Sequence, residues 1–318
     1  MENKAVLAHF TNAGILDRIV SVTPITTGAS GASVLSISTA DDEFILKHID
    51  KTSLTDPDML DSFRREFHFY SKKDVLGLQV LPEIRYLENS QNTIAILMRK
   101  YETIPSDKWE SDMTGRMVDL LTDVHACPAD KLDELGIEFT PRSVPAEQIE
   151  SAMAEWRSVL AEHNGVFDQM ILCDIAYAFH DITAILNAPP HSLNHGDFHA
   201  ANILLDEGRL LLCDWQNVSA GKGIGELSFF ISRLHADGVN IDEEQAIRMY
   251  SRMMHEKTGM SLTVQQLKRE KAAAAVSTSF LHWANYLHHA EADRVGKVYR
   301  EMCDAYEQVM RGDYYKGG

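Results

Sequence analysis

Residues 191–216 read HSLNHGDFHAANILLDEGRLLLCDWQ and contain three histidines, three aspartates and two asparagines among short apolar runs. Within this stretch, NILL and RLLL are separated by DEG, in which glycine supplies the backbone conformation of a tight turn. The pattern predicts a β-hairpin whose open end brings Asn202 and Asp214 together. The polar cluster has three interpretations: a transition-metal site, a polar turn without chemistry, and the catalytic loop of a phosphoryl-transfer enzyme.

The histidines suggest a metal site first. His195, Asp197 and His199 alternate along the chain and would share one face of a strand, where they could bind zinc or iron. Gly196 and the helix-favouring HAAN sequence disfavour a continuous strand, and no second His/Cys cluster follows. A polar turn explains each residue singly, but it does not explain their spacing together.

The spacing of three polar residues favours phosphoryl transfer. Asp197 precedes Asn202 by five positions, and Asp214 follows at the end of the hairpin. Transfer from ATP needs one carboxylate that orients the attacking hydroxyl and accepts its proton, and an Asn and a second Asp that hold Mg²⁺ against the phosphates. We therefore assign Asp197 as the catalytic base and Asn202 and Asp214 as the ligands of Mg²⁺.

The residues of this motif can be compared with those of known kinases. Protein kinases carry HRDxxxxN followed by DFG, and the corresponding text here is HGDFHAAN followed by DWQ. The combination resembles the aminoglycoside phosphotransferase and choline kinase-like family. The resemblance implies a protein-kinase-like two-lobed fold with ATP and Mg²⁺ as cofactors. It also implies transfer of the γ-phosphoryl group to a hydroxyl of an aminoglycoside, a choline-like amino alcohol or a related metabolite.

The first hundred residues differ from the rest. Residues 21–50 are rich in β-branched residues and small-residue turns, residues 56–77 carry an amphipathic helical pattern, and residues 80–101 supply two more strands. Helical periodicity dominates after Tyr101. We therefore predict an α+β fold: a nucleotide-binding lobe with a small antiparallel sheet (1–98), a hinge (99–102) and a larger, mostly helical catalytic and substrate lobe (103–318).

A kinase also needs a strand lysine for the α/β-phosphates and a helical glutamate that holds it. Lys47 in EFILKHI lies on a predicted strand, and Glu66 in FRREFHFY lies on the following helix. Glu43 is a nearby competitor for the lysine. An isolated strand lysine is normally a solvated edge residue, so the assignment of Lys47 depends on the three residues of the catalytic motif.

The remaining nucleotide contacts are less strongly marked. TTGASGAS lacks the full GxGxxG pattern, but its small residues would let backbone N–H groups approach phosphates. We expect phosphate contacts from Gly28, Ser30, Gly31 and Ser33, and the alternative is an ordinary hairpin turn. By resemblance, adenine should meet backbone groups near Met98, Arg99 and Lys100.

Three further residues have supporting roles by resemblance. His195 and His125 are expected to be buried structural residues. Glu226 in GELSFF stands where the family often has Asp, and it is expected to anchor the start of a helix. For the histidines and aromatic residues near the C-terminus, helical spacing favours core packing over an acceptor pocket (His282, Trp283, Tyr286, His288 and His289).

Composition limits the partners. A formal net charge of −17 argues against a nucleic-acid partner and mildly favours a cationic small molecule as acceptor. Four separated cysteines, no signal-peptide core and no apolar run near 20 residues favour a cytoplasmic protein without a membrane partner. Two alternatives stay open: a non-catalytic nucleotide-binding regulatory relative, and a protein kinase. Against the latter, no DFG, APE or activation segment follows Asp214.

Overall fold

The computed structural model describes residues 7–311 except 9, 26–31, 106–107, 110 and 164–166. Its N-terminal part is an antiparallel five-stranded sheet with the strand order β1-β2-β3-β5-β4. The strands are β1 (Ile19–Ile25), β2 (Ser33–Thr39), β3 (Glu43–Asp50), β4 (Ile84–Asn89) and β5 (Thr93–Arg99). Three strands, a helix and two strands follow one another as predicted. Because β3 is the central strand, its residues are shielded on both edges.

Helix α1 (Pro57–Ser71) crosses between β3 and β4. It begins where the Asp56 side chain accepts hydrogen bonds from first-turn N–H groups. Proline is tolerated in this turn, because the backbone N–H that it lacks would have no partner within the helix. The predicted helix ran on to Gly77. In the structure Lys72 leaves helical geometry, and a separate turn, α2 (Lys73–Leu76), ends at Gly77 in a left-handed conformation.

Helices dominate the C-terminal part, as predicted. They are α3 (Ser111–His125), α4 (Ala129–Glu134), α5 (Ala146–Glu162), α6 (Met170–Asn187), α7 (Ile224–Ala236), α8 (Glu243–Thr258), α9 (Val264–Thr278), α10 (Ala284–Leu287) and α11 (Ala292–Arg311). A π-helical turn, Ser279–Trp283, joins α9 to α10. The α+β prediction is confirmed.

Short strands interrupt these helices. They are β6 (Glu102–Thr103), β7 (Ser192–Asn194), β8 (Ile203–Asp206), β9 (Arg209–Leu212) and β10 (Ser219–Gly221). The predicted hairpin is β8–β9, and both residues at its tip, Glu207 and Gly208, have positive φ, 48° and 90°. That pair of conformations matches the right-handed twist of the strands.

Helix α6 has the length and hydropathy of a membrane span, by composition alone. The sequence predicted no apolar run of that length, and a match by length and composition does not contradict this prediction, because Asp174, His180 and Asp181 interrupt the helix. The helix places seven residues in the core, among them Leu172, Phe179 and Ile182, where they pack with α5 and α9. Its one-sided burial is that of a core helix.

One hydrophobic cluster joins the sheet to the helices. It contains Phe69 and Met98 from the N-terminal part and Val118, Trp215 and Phe230 from the C-terminal part. Because apolar burial favours a fixed arrangement, this cluster holds α1 against the segment that follows β9.

Candidate active site

The loop that carries Asp197 depends on a glycine. Gly196 has a φ of +86°, a left-handed conformation that side chains rarely adopt. A Cβ atom built there would lie 2.1 Å from the carbonyl oxygen of Asn217. Glycine in HGD, where the protein-kinase motif has arginine, is therefore required by close contact with the segment after Asp214.

Glu226, in the first turn of α7, anchors this loop. Its carboxylate accepts hydrogen bonds from the backbone N–H of His195 (3.0 Å), the N–H of Gly196 and the His125 ring (Nε2, 2.9 Å). Burial raises the pKa of Glu226, but His125 and the other donors outweigh it and leave the pKa below its usual value. An ionised carboxylate thus fixes the backbone on the N-terminal side of Asp197. The sequence predicted an anchor for the start of a helix, whereas the contacts of Glu226 are to the loop.

His195 supports the loop from inside. Its Nδ1 accepts from the Asp197 N–H (3.2 Å), so its Nε2–H donates to the Cys213 carbonyl at 2.8 Å. Burial lowers the pKa of His195, which favours this neutral form. The ring therefore joins the loop of Asp197 to the residue before Asp214.

Asp197 is partly exposed, and His199 lies beside it. The His199 Nε2 atom is 3.5 Å from Asp197 Oδ2 and 3.2 Å from Asn202 Nδ2. His199 is the main cause of the lowered pKa of Asp197. The carboxylate is ionised at neutral pH and is a weak base, so it is suited to orienting a hydroxyl group and taking its proton late in the reaction. The sequence left His199 undecided, and the fold places it between Asp197 and Asn202.

Asn202 and Asp214 lie across the open end of the hairpin, where the Cys213 N–H donates to the Asn202 carbonyl at 3.0 Å. Asp214 has a φ of 67°, an unusual conformation for a residue other than glycine. Such a conformation costs about 1–3 kcal/mol. Among the described contacts, Asn202 uses Nδ2 to donate to the Asp197 carbonyl and Asp214 uses Oδ1 for Lys47, so Asn202 Oδ1 and Asp214 Oδ2 remain available. Both are hard oxygen ligands of the kind that Mg²⁺ prefers.

Lys47 joins the two lobes. Its Nζ lies 2.6 Å from Glu66 Oε2 and 2.8 Å from Asp214 Oδ1, and the lysine side chain is only 9% exposed. Burial lowers the pKa of Lys47, but the two carboxylates more than offset it and leave the pKa raised. Glu43, the competing partner, pairs with Lys100 instead.

The segment after Asp214 is attached to α1 by two further contacts. The Trp215 ring stacks on Phe69 with centroids 4.1 Å apart. The Arg65 Nε donates to the Gln216 carbonyl at 3.1 Å. Neither contact was predicted, because each depends on how α1 packs against the hairpin.

Comparison with known proteins identifies the family. The family model described as the phosphotransferase enzyme family (APH) matches residues 21–250 of the 318. The chain belongs to this family. The prediction of a phosphotransferase acting on alcohol groups is confirmed at that level. Comparison with curated proteins gave no match.

Solved structures of similar fold include known phosphotransferases. A macrolide 2′-phosphotransferase from Brachybacterium faecium is 16% identical with a TM-score of 0.56, over 94% of this chain and 97% of that one. Choline kinase from Streptococcus pneumoniae is 14% identical with a TM-score of 0.52, over 98% and 99%. An ADP-bound aminoglycoside phosphotransferase, APH(2″)-Ib, is 14% identical with a TM-score of 0.54, over 96% and 99%. These likenesses confirm the predicted kinase-like fold.

Other predicted nucleotide contacts of the phosphotransferase are only partly described. Gly28, Ser30 and Gly31 lie outside the described residues. Ser33 begins β2 and is paired with His48, next to Lys47. Next to the predicted hinge, Met98 is buried. The Lys100 N–H donates to the Glu43 carbonyl, and the Arg99 N–H donates to that of Glu83. Because these two N–H groups already have acceptors, an adenine at the predicted hinge would bind to backbone carbonyl groups there or to residues beyond Lys100.

Three of the C-terminal aromatic and histidine residues have surroundings that the structure describes. Tyr286 is 78% exposed, Trp283 packs on the cluster around α6, and the His288 ring contacts Glu155 and Glu162 on α5. Core packing and surface contacts account for these three. No cluster of three or more metal-binding His, Cys, Asp or Glu side chains occurs in the described part of the chain.

A cavity of about 300 Å³ adjoins the catalytic loop of the phosphotransferase. Gly196 and Phe198, the two neighbours of Asp197, form part of its wall. Its other walls include Phe139, Arg142, Asn194, Lys222, Glu226 and Phe229. The charge of Lys222 is neutralised by Glu270 at 2.8 Å.

Proposed function

We propose that the chain transfers the γ-phosphoryl group of Mg-ATP to a hydroxyl group of a small molecule. The observation that carries the proposal is the double ion pair of Lys47 with Glu66 and Asp214. A kinase needs a strand lysine that is held by a helical glutamate and that lies beside the metal-binding aspartate. An ordinary structural ion pair does not require a second carboxylate in a left-handed backbone conformation.

Each residue has one role in this proposal. Asp197 orients the acceptor hydroxyl and receives its proton, and Lys47, fixed by Glu66, holds the α/β-phosphates. Asn202 and Asp214 hold Mg²⁺, which neutralises phosphate charge when it is bound. Rate acceleration then comes mainly from positioning and charge stabilisation, without a covalent enzyme intermediate. Two aminoglycoside phosphotransferases of similar fold, one bound to ADP and one to GDP, support a purine nucleotide as the phosphoryl donor.

The two alternative functions fit less well. A non-catalytic relative has no need to keep Asp197, Asn202 and Asp214 in their places with oxygens available. A protein kinase needs a peptide platform after Asp214, but only a short turn, Trp215–Asn217, and the three residues of β10 precede α7. The short connection favours a small acceptor.

We propose the cavity beside the catalytic loop as the acceptor site. Its volume of about 300 Å³ is at the lower end of the range for small-molecule sites, which favours a compact acceptor. The only carboxylate in its wall is Glu226, whose oxygens already accept three hydrogen bonds. The local site therefore gives less support to a polycationic acceptor than the net charge of −17 does.

Four free cysteines support a reducing, cytoplasmic setting.

The test is a turnover screen with Mg-ATP, in which ADP release is measured with each candidate alcohol. The set should contain choline, ethanolamine, homoserine, methylthioribose, simple sugars, aminoglycosides and a macrolide. We expect acceptor-dependent ADP release from the wild type, and release that is slower by about 10²–10⁴ from D197N. Equal release by the two proteins, or labelled phosphate found on added protein substrates only, would contradict the proposal.

A further inference from the structure

Two buried polar atoms behind Lys47 lack partners. Glu66 Oε2 contacts Lys47, but Glu66 Oε1 has no hydrogen-bond partner in the described chain. Gln216 Nε2 is equally buried and equally unpaired among the described residues. One atom is an acceptor and the other a donor, and a buried polar group without a partner is costly. Burial raises the pKa of Glu66, and the Gln216 amide is one of the groups that oppose this rise.

The backbone of Gln216 is held at the place where its side chain can act. Its carbonyl accepts from Arg65, the residue before Glu66, and its neighbour Trp215 stacks on Phe69. The segment from Asp214 to Gln216 therefore faces the inner side of α1. The unsatisfied donor and the unsatisfied acceptor therefore belong to two segments that pack against each other.

We propose that Gln216 is a positioning residue whose Nε2–H donates to Glu66 Oε1 and so keeps Glu66 Oε2 directed at Lys47. This inference rests on the proposed nucleotide role of Lys47 and Glu66. With a nucleotide and Mg²⁺ bound, Asp214 would be a ligand of the metal. Glu66 would then be the carboxylate that holds Lys47 in place. A second hydrogen bond on Glu66 limits its rotation at that stage.

The fold contains a matched arrangement away from the nucleotide. Lys222 and Glu270 form a buried ion pair, and Gln266 Nε2 donates to Glu270 Oε1 at 3.0 Å. A Gln266→Leu substitution therefore removes the same kind of amide–carboxylate bond without touching Glu66. It is the control for a general loss of stability.

The experiment measures the dissociation constant of a fluorescent Mg-ATP analogue with the full-length chain, so that no acceptor is needed. We expect Q216L to weaken binding by about 3- to 30-fold, the range expected for part of one hydrogen bond to a charged group. Q266L should bind like the wild type. Q216E, which keeps the size but sets a carboxylate against Glu66, should weaken binding at least as much as Q216L.

A double-mutant cycle separates positioning from general structure. In an E66Q background, adding Q216L should change the dissociation constant by less than about twofold, because the residue acts through Glu66. Undiminished loss in that background, or wild-type binding by Q216L and Q216E, would overturn the inference. Loss of binding in Y70F with none in Q216L would also overturn it, since Tyr70 Oη is the other unpaired donor nearby. Absence of nucleotide binding in the wild type would instead refute the proposed function.

Discussion

Lys47 and Asp214 are 167 positions apart in the sequence and form a 2.8 Å ion pair in the fold. The lysine belongs to the central strand of the sheet, and the aspartate follows the hairpin of the helical part. Since Glu66 contacts the same ammonium group at 2.6 Å, three elements meet at one charge. The N-terminal sheet is therefore connected to the segment that follows β9 through one lysine.

Removal of the lysine should separate stability from nucleotide binding. K47M leaves Glu66 buried without its partner, and we expect about 3 kcal/mol of destabilisation, the lower end for a broken buried pair, because Glu66 can take up a proton. Urea unfolding measures this change. The control K47M/E66L should recover most of the stability but bind no Mg-ATP. Recovery of nucleotide binding in the double variant would contradict the role of Lys47.

Substitution of the proposed base should affect turnover alone. In D197N we expect kcat to fall by about 10²–10⁴, while the dissociation constant of Mg-ATP stays close to that of the wild type. The measurements are steady-state kinetics with the identified acceptor and nucleotide titration. D206N is the control, since Asp206 pairs with Arg209 near the hairpin tip. Unchanged kcat in D197N would remove Asp197 from the mechanism.

The metal ligands should be visible in magnesium titrations. Chelation of Mg²⁺ should abolish turnover reversibly, and N202A should raise the Mg²⁺ concentration needed for half-maximal activity by about tenfold or more, as for the loss of one ligand. D214N should show no activation at any Mg²⁺ concentration. N89A, which removes an asparagine that contacts Lys51 at the sheet edge, should titrate like the wild type. A wild-type titration curve for N202A would exclude that ligand.

Glu226 should stabilise the fold in a pH-dependent way. Its pKa is lowered from 4.5 in the folded chain, so its contribution is fully present above that value and is lost as the pH falls through the folded pKa. We expect E226Q to lose about 1.5–3 kcal/mol near pH 7, as for hydrogen bonds to a charged group. Urea unfolding from pH 7 to pH 3.5 should show the difference from wild type shrinking at the acid end. A constant difference would mean that the charge is not what matters.

His288 should stabilise the fold with a pH dependence opposite to that of Glu226. Both ring nitrogens contact carboxylates, Glu155 and Glu162, and the hydrogen bonds to these groups raise the pKa of His288 above 6.5. Its contribution is complete below 6.5 and is lost as the pH rises through the folded pKa. The melting temperature of the wild type should exceed that of H288Q at pH 6, and the gap should close towards pH 8. A gap that widens with pH would contradict a charged imidazole between the two glutamates.

The local features were predictable because they depend on short-range geometry. The Asp56 cap, the DEG turn and the alternation of the strands are set by backbone hydrogen bonding within a few residues. The spacing of Asp197, Asn202 and Asp214 follows from that hairpin. The order of strands and helices then allowed the α+β fold to be predicted correctly.

Other features follow from packing between distant segments. The close contact of Gly196 with Asn217, the anchoring of the catalytic loop by Glu226 and the choice of Glu66 over Glu43 all join residues on different elements. No periodicity or turn rule encodes such contacts, because they depend on which faces the apolar core brings together. For the same reason, the length of α6 could not distinguish a core helix from a membrane span.

The sequence by itself determined the catalytic motif, the order of the elements and the pairing of the hairpin. Only the tertiary structure decided that His199 lies between Asp197 and Asn202, and that the Gln216 amide is buried without a partner among the described residues. The physical reason is that side-chain chemistry is carried by each residue, whereas its partners are chosen by the burial of α1 and the hairpin in one shared core.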